Sequence, residues 1–150
     1  MDSQIIELRG RNWLMNELME AGLEFALPAR DRGIDLVIYS DLEEKVKRFI
    51  AVPVQMKAAS QRAFSIDRRY MKFPNLLLVY VWELDDPANT HTYALNYPEV
   101  FRISQKMGWT ESSSWKINGR YSTSNPSKKL MELLIPHRMS PIKWRSKVGL

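Results

Sequence analysis

Gly33-Ile34-Asp35-Leu36-Val37-Ile38-Tyr39 and, further on, Phe49-Ile50-Ala51-Val52-Pro53-Val54-Gln55-Met56-Lys57-Ala58-Ala59-Ser60 are two short apolar runs rich in β-branched residues. Both read as strands, and the charged segment DLEEKVKR at 41–48 is long enough to be the turn between them. An antiparallel hairpin is the expectation. Period-two alternation puts Gln55 and Lys57 on one face of the second strand and Val54 and Met56 on the other. Asp35 stands where the apolar residues of the first strand begin. A carboxylate, an amide oxygen and an ammonium can then converge near one end of a sheet. A buried charge is costly unless it is paired or bound to metal, and a hard divalent cation would account for this set.

Mg²⁺ takes oxygen ligands and is usually held by one or two carboxylates together with water and phosphate. Asp35 offers a carboxylate, Gln55 a neutral side-chain oxygen and Met56 its backbone carbonyl. Lys57 is not a ligand. Its ammonium is placed to orient an attacking water and to offset charge on a phosphate. The plainer alternative is an Asp in a turn beside Gly33 and a solvated Lys at a strand end.

The remaining organisation follows the chain. Apolar spacing from Ile5 to Ala21 is helical, with Gly22 as its stop. Glu7 shares a stripe with Arg11, Leu14, Leu18 and Ala21. It is either a second carboxylate turned toward the sheet or a solvated first-turn acid favoured by the helix dipole. Leu23 to Pro28 allows a short strand before the turn that carries Arg30 and Arg32, which either clamp phosphates or pair with Asp31. Pro53 deletes a ladder donor, so its strand needs an edge, a bulge or an outward amide site at that point. Residues 58–75 read as a polar loop with room for a short helical turn, with Gln61 and Arg62 either touching nucleic acid or solvated.

Leu76 to Trp82 is the most apolar run and reads as a buried central strand, returning through Asp85–Asn89 to a strand from Thr90 to Leu95. Asn96 caps a helix from Glu99 to Met107. Asn118-Gly119 then signals a hairpin within Trp109–Asn125. Such a ribbon suits the major groove, with Lys116, Arg120 and Tyr121 as its contacts, or else packs Trp109 and Trp115 inward. Asn125 caps a last helix from Pro126 to Leu134, and a basic, aromatic tail is left to lie on DNA or a neighbouring subunit.

With 150 residues and 45% hydrophobic content, one domain with its own core is expected, residues 1–100 as a catalytic core and 101–150 as basic DNA-contacting and oligomerisation elements. The chain has no cysteine and two histidines, which excludes a disulfide scaffold, a thiolate metal site and a histidine metal cluster. Neither a signal-peptide pattern nor an apolar run of membrane-spanning length is present, so a soluble intracellular protein without a membrane partner is expected. Net charge is +5, unevenly spread: residues 1–100 carry −3 and residues 101–150 carry +8. That asymmetry points to a polyanion, nucleic acid first.

Ile34-Asp35 followed by Gln55-Met56-Lys57 resembles the pattern of the PD-(D/E)XK nuclease superfamily, an Asp at the end of one strand and an acid-x-Lys on the next. Here Ile replaces the Pro and Gln replaces the acid, which removes one negative charge; some members similarly carry Gln-x-Lys and still cleave. The chain as a whole, including IIELRGRNWLMNELMEAG at 5–22 and SSSWKING at 112–119, is similar to the intron-encoded homing endonucleases of this superfamily in cyanobacteria. The resemblance implies an α/β fold of restriction-endonuclease type, a mixed sheet flanked by helices with a C-terminal basic hairpin and helix extension. It implies site-specific, Mg²⁺-dependent double-strand cleavage of DNA, with Mn²⁺ able to substitute, by a homo-oligomer, a tetramer. It also implies that Glu7 supplies the further acid, with Glu17 as the alternative. The rival expectation is a module that binds nucleic acid without cutting it; a restriction or Holliday-junction endonuclease is the alternative within the enzymes.

Overall fold

Asp2 accepts hydrogen bonds from the amides of Gln4 and Ile5 (2.9 and 3.1 Å) and so starts helix α1, Ser3–Glu20. The helix ends at Gly22, whose φ of 74° is the left-handed conformation glycine adopts without strain. Its apolar stripe is real: Leu14, Leu18 and Ala21 are buried. The computed structural model describes residues 2–43 and 47–150.

After α1 come β1 (Glu24–Ala26), β2 (Leu36–Tyr39) and β3 (Ala51–Ala58). They pair antiparallel in succession, so the expected hairpin of β2 and β3 is present; Glu44, Lys45 and Val46 of its turn lie outside the described residues. A short strand β4 (Phe64–Asp67) follows, then β5 (Leu77–Trp82) and β6 (His91–Asn96). The main sheet is mixed, ordered β1-β2-β3-β5-β6, with β3 and β5 parallel and every other neighbour antiparallel. Pro53 is accommodated because it lies opposite Val37 of β2, one residue before the ladder to β5 opens at Val54–Leu77. At that point β3 has a strand on one side only.

All six residues of β5 are buried, and they divide between two cores. Leu77, Val79 and Val81 join Leu14 and Leu18 of α1, while Leu78, Tyr80 and Trp82 join Phe64 and Ile66 of β4 on the other face. Helix α2 (Tyr97–Lys106) packs on the second face, and Asn96 and Glu99 close a reciprocal capping box at 2.9 Å.

Residues 58–75 hold the expected short helical turn, a 3-10 turn over Arg68–Lys72, but are otherwise not only a loop: they also contain β4. The hairpin around Asn118-Gly119 is not formed. Ser112 instead caps helix α3 (Ser113–Asn118), and Gly119, at φ 68°, closes it with its amide on the Trp115 carbonyl (2.8 Å). A helix C-terminus and a tight hairpin both need a residue at positive φ, so Asn-Gly alone does not distinguish them; the serine cap does. Arg120–Thr123 then forms β7 and pairs antiparallel with β4, far back in the chain.

The basic tail folds back onto its own chain. Helix α4 (Lys128–Leu134) is capped by Ser127 rather than Asn125 and buries Leu130 and Leu134. Helix α5 (Pro141–Lys147) inserts Trp144, fully buried, against α1. The Trp144 indole donates to Glu17, which also accepts from the Trp13 indole (2.9 Å) and the Thr92 hydroxyl (3.1 Å). Burial pushes the Glu17 carboxyl above its ordinary range although three donors pull the other way. Among the described residues no helix is long and apolar enough to cross a membrane.

Trp144→Ala is expected to lower the unfolding free energy by about 3–5 kcal/mol, the cost of emptying a buried aromatic site. Trp144→Phe keeps a ring but strips Glu17 of a donor and is expected to cost about 1–3 kcal/mol. Urea denaturation measures both; a Trp144→Ala loss no larger than that of a surface substitution would show that α5 is not part of the core.

Candidate functional site

Asp35 sits one residue ahead of β2, where the ladder to β3 runs out. Its amide donates to the Val54 carbonyl (2.8 Å), and its carboxylate Oδ2 accepts from the Met56 amide (2.7 Å). The side chain thus takes the place of the missing strand neighbour. Within an extended strand the N–H and C=O of one residue point to the same edge, so the Met56 carbonyl also faces the Asp35 edge. Asp35 is half-buried, and burial pushes its pKa above the ordinary carboxylate value. The Met56 amide opposes that shift, Asp31 adds to it, and Lys57 and Arg11 oppose it more weakly.

Alternation in β3 is as expected: Val54 and Met56 pack toward α1, leaving Gln55 and Lys57 for the other face. Helix α1 comes this close because residue 10 is glycine. A Cβ there would stand 2.7 Å from the Ala58 Cβ and 3.3 Å from the Met56 sulfur. In the parallel register Gln55 lies beside Leu78 and Lys57 beside Tyr80. The Gln55 Oε1 atom is buried and has no hydrogen-bond partner. Few buried acceptors are left in that condition without a ligand, water or ion to complete them.

Gln55 and Lys57 open into different hollows. Gln55 lines an apolar groove of about 760 Å³ with Ile34, Pro53 and Phe73. Lys57 lines a tighter cleft of about 280 Å³ with Arg120 of β7. Tyr70 and Arg69 border both. The Lys57 ammonium lies 5.8 Å from the centroid of the buried Tyr70 ring, within the range of a cation–π contact. Arg69 donates to the Tyr70 hydroxyl (2.9 Å) and pairs with Asp67 (3.3 Å).

Not every candidate lines these two hollows. Glu7 is exposed on α1, and its side chain has no hydrogen bond or ion pair among the described residues. Glu17 is excluded from the site, since both of its oxygens are engaged toward β6 and α5, two strands from β3. Arg30 is exposed in the loop before β2, while Arg32 borders the Gln55 groove. Gln61 is exposed beyond β3, and Arg62 is tied to Glu83 at 2.7 Å around a separate hollow. With the hairpin gone, Lys116 parts from the other two. Arg120 and Tyr121 both line the Lys57 cleft, Tyr121 also stacking on Trp109 (4.7 Å between centroids), while Lys116 sits exposed on α3, paired with Glu111 at 3.3 Å.

Arg69, Tyr70 and Asp67 are the site residues that sequence reasoning missed. Their local signal was slight: Asp67 as the cap of a short turn, its Oδ1 accepting from the Arg69 amide (3.0 Å), and one aromatic in Arg68–Lys72.

One Asp35 carboxylate oxygen not used by Met56, the unpartnered Gln55 Oε1 and the Met56 carbonyl are all oxygen donors, the kind a hard cation takes and a soft one does not. Among the described residues no three of His, Cys, Asp and Glu form a metal-ligand group. No protein-family model, curated protein or solved structure matches the chain.

The raised Asp35 pKa has a consequence for stability. The folded protein holds this proton more tightly than the unfolded chain, so its contribution falls as pH rises between the ordinary carboxylate value and the raised one. Above that window the ionised group is a standing cost. Asp35→Asn keeps an acceptor for the Met56 amide and removes the charge. Its thermal midpoint at neutral pH without added metal is expected to rise on the order of 2 °C, and the gain to vanish below the ordinary carboxylate range. A lower midpoint for the variant at neutral pH would show that the carboxylate's bonds outweigh its burial.

Proposed function

We propose that this protein is a metal-dependent DNA endonuclease of the PD-(D/E)XK type, built on a restriction-endonuclease-like core. The observation that carries this reading is the orphaned Gln55 Oε1 on the strand where the Met56 amide fixes the Asp35 carboxylate, with Lys57 next in line. The mixed sheet flanked by helices and the basic C-terminal third support it.

Asp35, Gln55 and the Met56 carbonyl would hold Mg²⁺, or Mn²⁺ in its place, with Glu7 as a further acid recruited from α1. Mg²⁺ so held supplies Lewis-acid polarisation of a phosphodiester and a lowered pKa for bound water. The chain's own residues do the rest. Lys57, steadied by Tyr70, orients the attacking water and offsets charge that develops on the phosphate. Arg32 and Arg120 contact neighbouring phosphates. The Met56 amide holds Asp35 in its ionised, ligating orientation.

The resemblance to intron-encoded homing endonucleases extends the proposal to site-specific cleavage of both strands. Two strands require two active sites, which calls for a symmetric homo-oligomer, a tetramer by that resemblance, and a partly palindromic target.

Purified protein incubated with plasmid DNA and Mg²⁺ is expected to give discrete cuts that EDTA abolishes. Lys57→Ala is expected to slow cutting by about 10²–10³-fold, the scale of losing one charge-stabilising group. Asp35→Ala is expected to remove it. Intact DNA with metal present, or cutting indifferent to EDTA and to Lys57→Ala, would leave a module that binds without cleaving.

A further inference from the structure

The cleft beside Lys57 holds more positive charge than the proposed hydrolysis uses. Lys57, Arg69 and Arg120 line one cavity of about 280 Å³ between β5 and the β4–β7 ribbon, with Asp67 as its one carboxylate and the hydroxyls of Ser65 and Ser114 on its wall. Asp67 lies opposite Arg120 in the ribbon register and pairs with Arg69 at 3.3 Å. That leaves a surplus of two positive charges in a hollow whose floor is apolar and aromatic, a setting that concentrates the field. The Arg69 side chain is 65% exposed, so its pairing with Asp67 is weak and exchangeable. Arg69 also borders the Gln55 groove and, with Lys72 and Arg120, a third hollow across the 3-10 turn.

A planar guanidinium presents forked donors matched to phosphate oxygens, and two of them line the same cleft as the ammonium that would face the attacked phosphate. We propose that this cleft is a phosphodiester-binding site for the backbone of duplex DNA, with Arg69 and Arg120 as its phosphate-binding residues. Asp67 is the resident counter-ion that Arg69 gives up when DNA arrives. The inference rests on the nuclease reading for the identity of the anion and adds to it a residue, Arg69, and a strand path along the β4–β7 ribbon.

Binding of a short mixed-sequence DNA duplex to the full chain, followed by fluorescence anisotropy in EDTA across a salt titration, tests it without any cleavage. Arg69→Ala and Arg120→Ala are each expected to weaken binding about tenfold, and each to reduce the salt slope by about one. Asp67→Asn keeps the oxygen that caps the Arg69 amide while removing the charge, and is expected to tighten binding severalfold. Thermal melts check that all three variants are folded. Unchanged affinity and slope in both arginine variants, or weaker binding by folded Asp67→Asn, overturns the proposal. Inorganic phosphate serves as a second probe: phosphate binding that needs Arg69, beside duplex binding that does not, makes the cleft a small-anion site and overturns it too. Duplex binding that depends on Arg69 and Arg120 in a protein that never cleaves upholds the cleft and sinks the nuclease reading. Metal-dependent cleavage with binding indifferent to both arginines sinks the cleft alone.

Discussion

The parallel pairing of β3 with β5 is the constraint from which the rest of the molecule follows. β5 is buried on both faces, so its position is fixed by two cores at once, and β3 inherits that fixity through the Val54–Leu77 to Ala58–Val81 register. The register sets Gln55 beside Leu78 and Lys57 beside Tyr80. A slip of one residue would turn both polar side chains into the core of α1 and bring Val54 and Met56 out. The polar pair keeps its face because the apolar pair cannot leave the other.

On that frame the local chemistry is a matter of where β2 ends. Had β2 continued, the Met56 amide would bond to another strand and Asp35 would have no place beside it. Because the ladder stops at Leu36, a carboxylate completes it, and an acid is drawn into a half-buried position that raises its pKa. The same termination leaves the Met56 carbonyl facing that edge. Packing thus supplies the arrangement, and its electrostatic cost is carried by the site.

The parts that could be read from the chain are those whose signal is local. α1, β2, β3, β5, β6 and α2 each carry their periodicity or cap within a few residues, and the shared face of Gln55 and Lys57 follows from alternation alone. β4 and β7 could not be read in this way. Each is four residues long and exists because the other, over fifty residues away, completes it. The Asn118-Gly119 dipeptide misled because helix ends and hairpins share its conformation, and Arg69 and Tyr70 were hidden in a polar stretch without a period. Glu17 was unreadable for a related reason. It stands as the alternative acid of the first helix until Trp13, Thr92 and Trp144, drawn from three separate parts of the chain, are seen to surround it.

The late partner of β4 also bears on synthesis. Asp35, Gln55 and Lys57 emerge from the ribosome in the first half of translation, but β7 and α5, which wall the cleft and lock α1, come in the last third. A nascent chain therefore carries Asp35, Gln55 and Lys57 before it owns the β7 wall of the Lys57 cleft. A chain cut short before Arg120 would hold those three residues without the strand that completes β4 and walls the cleft.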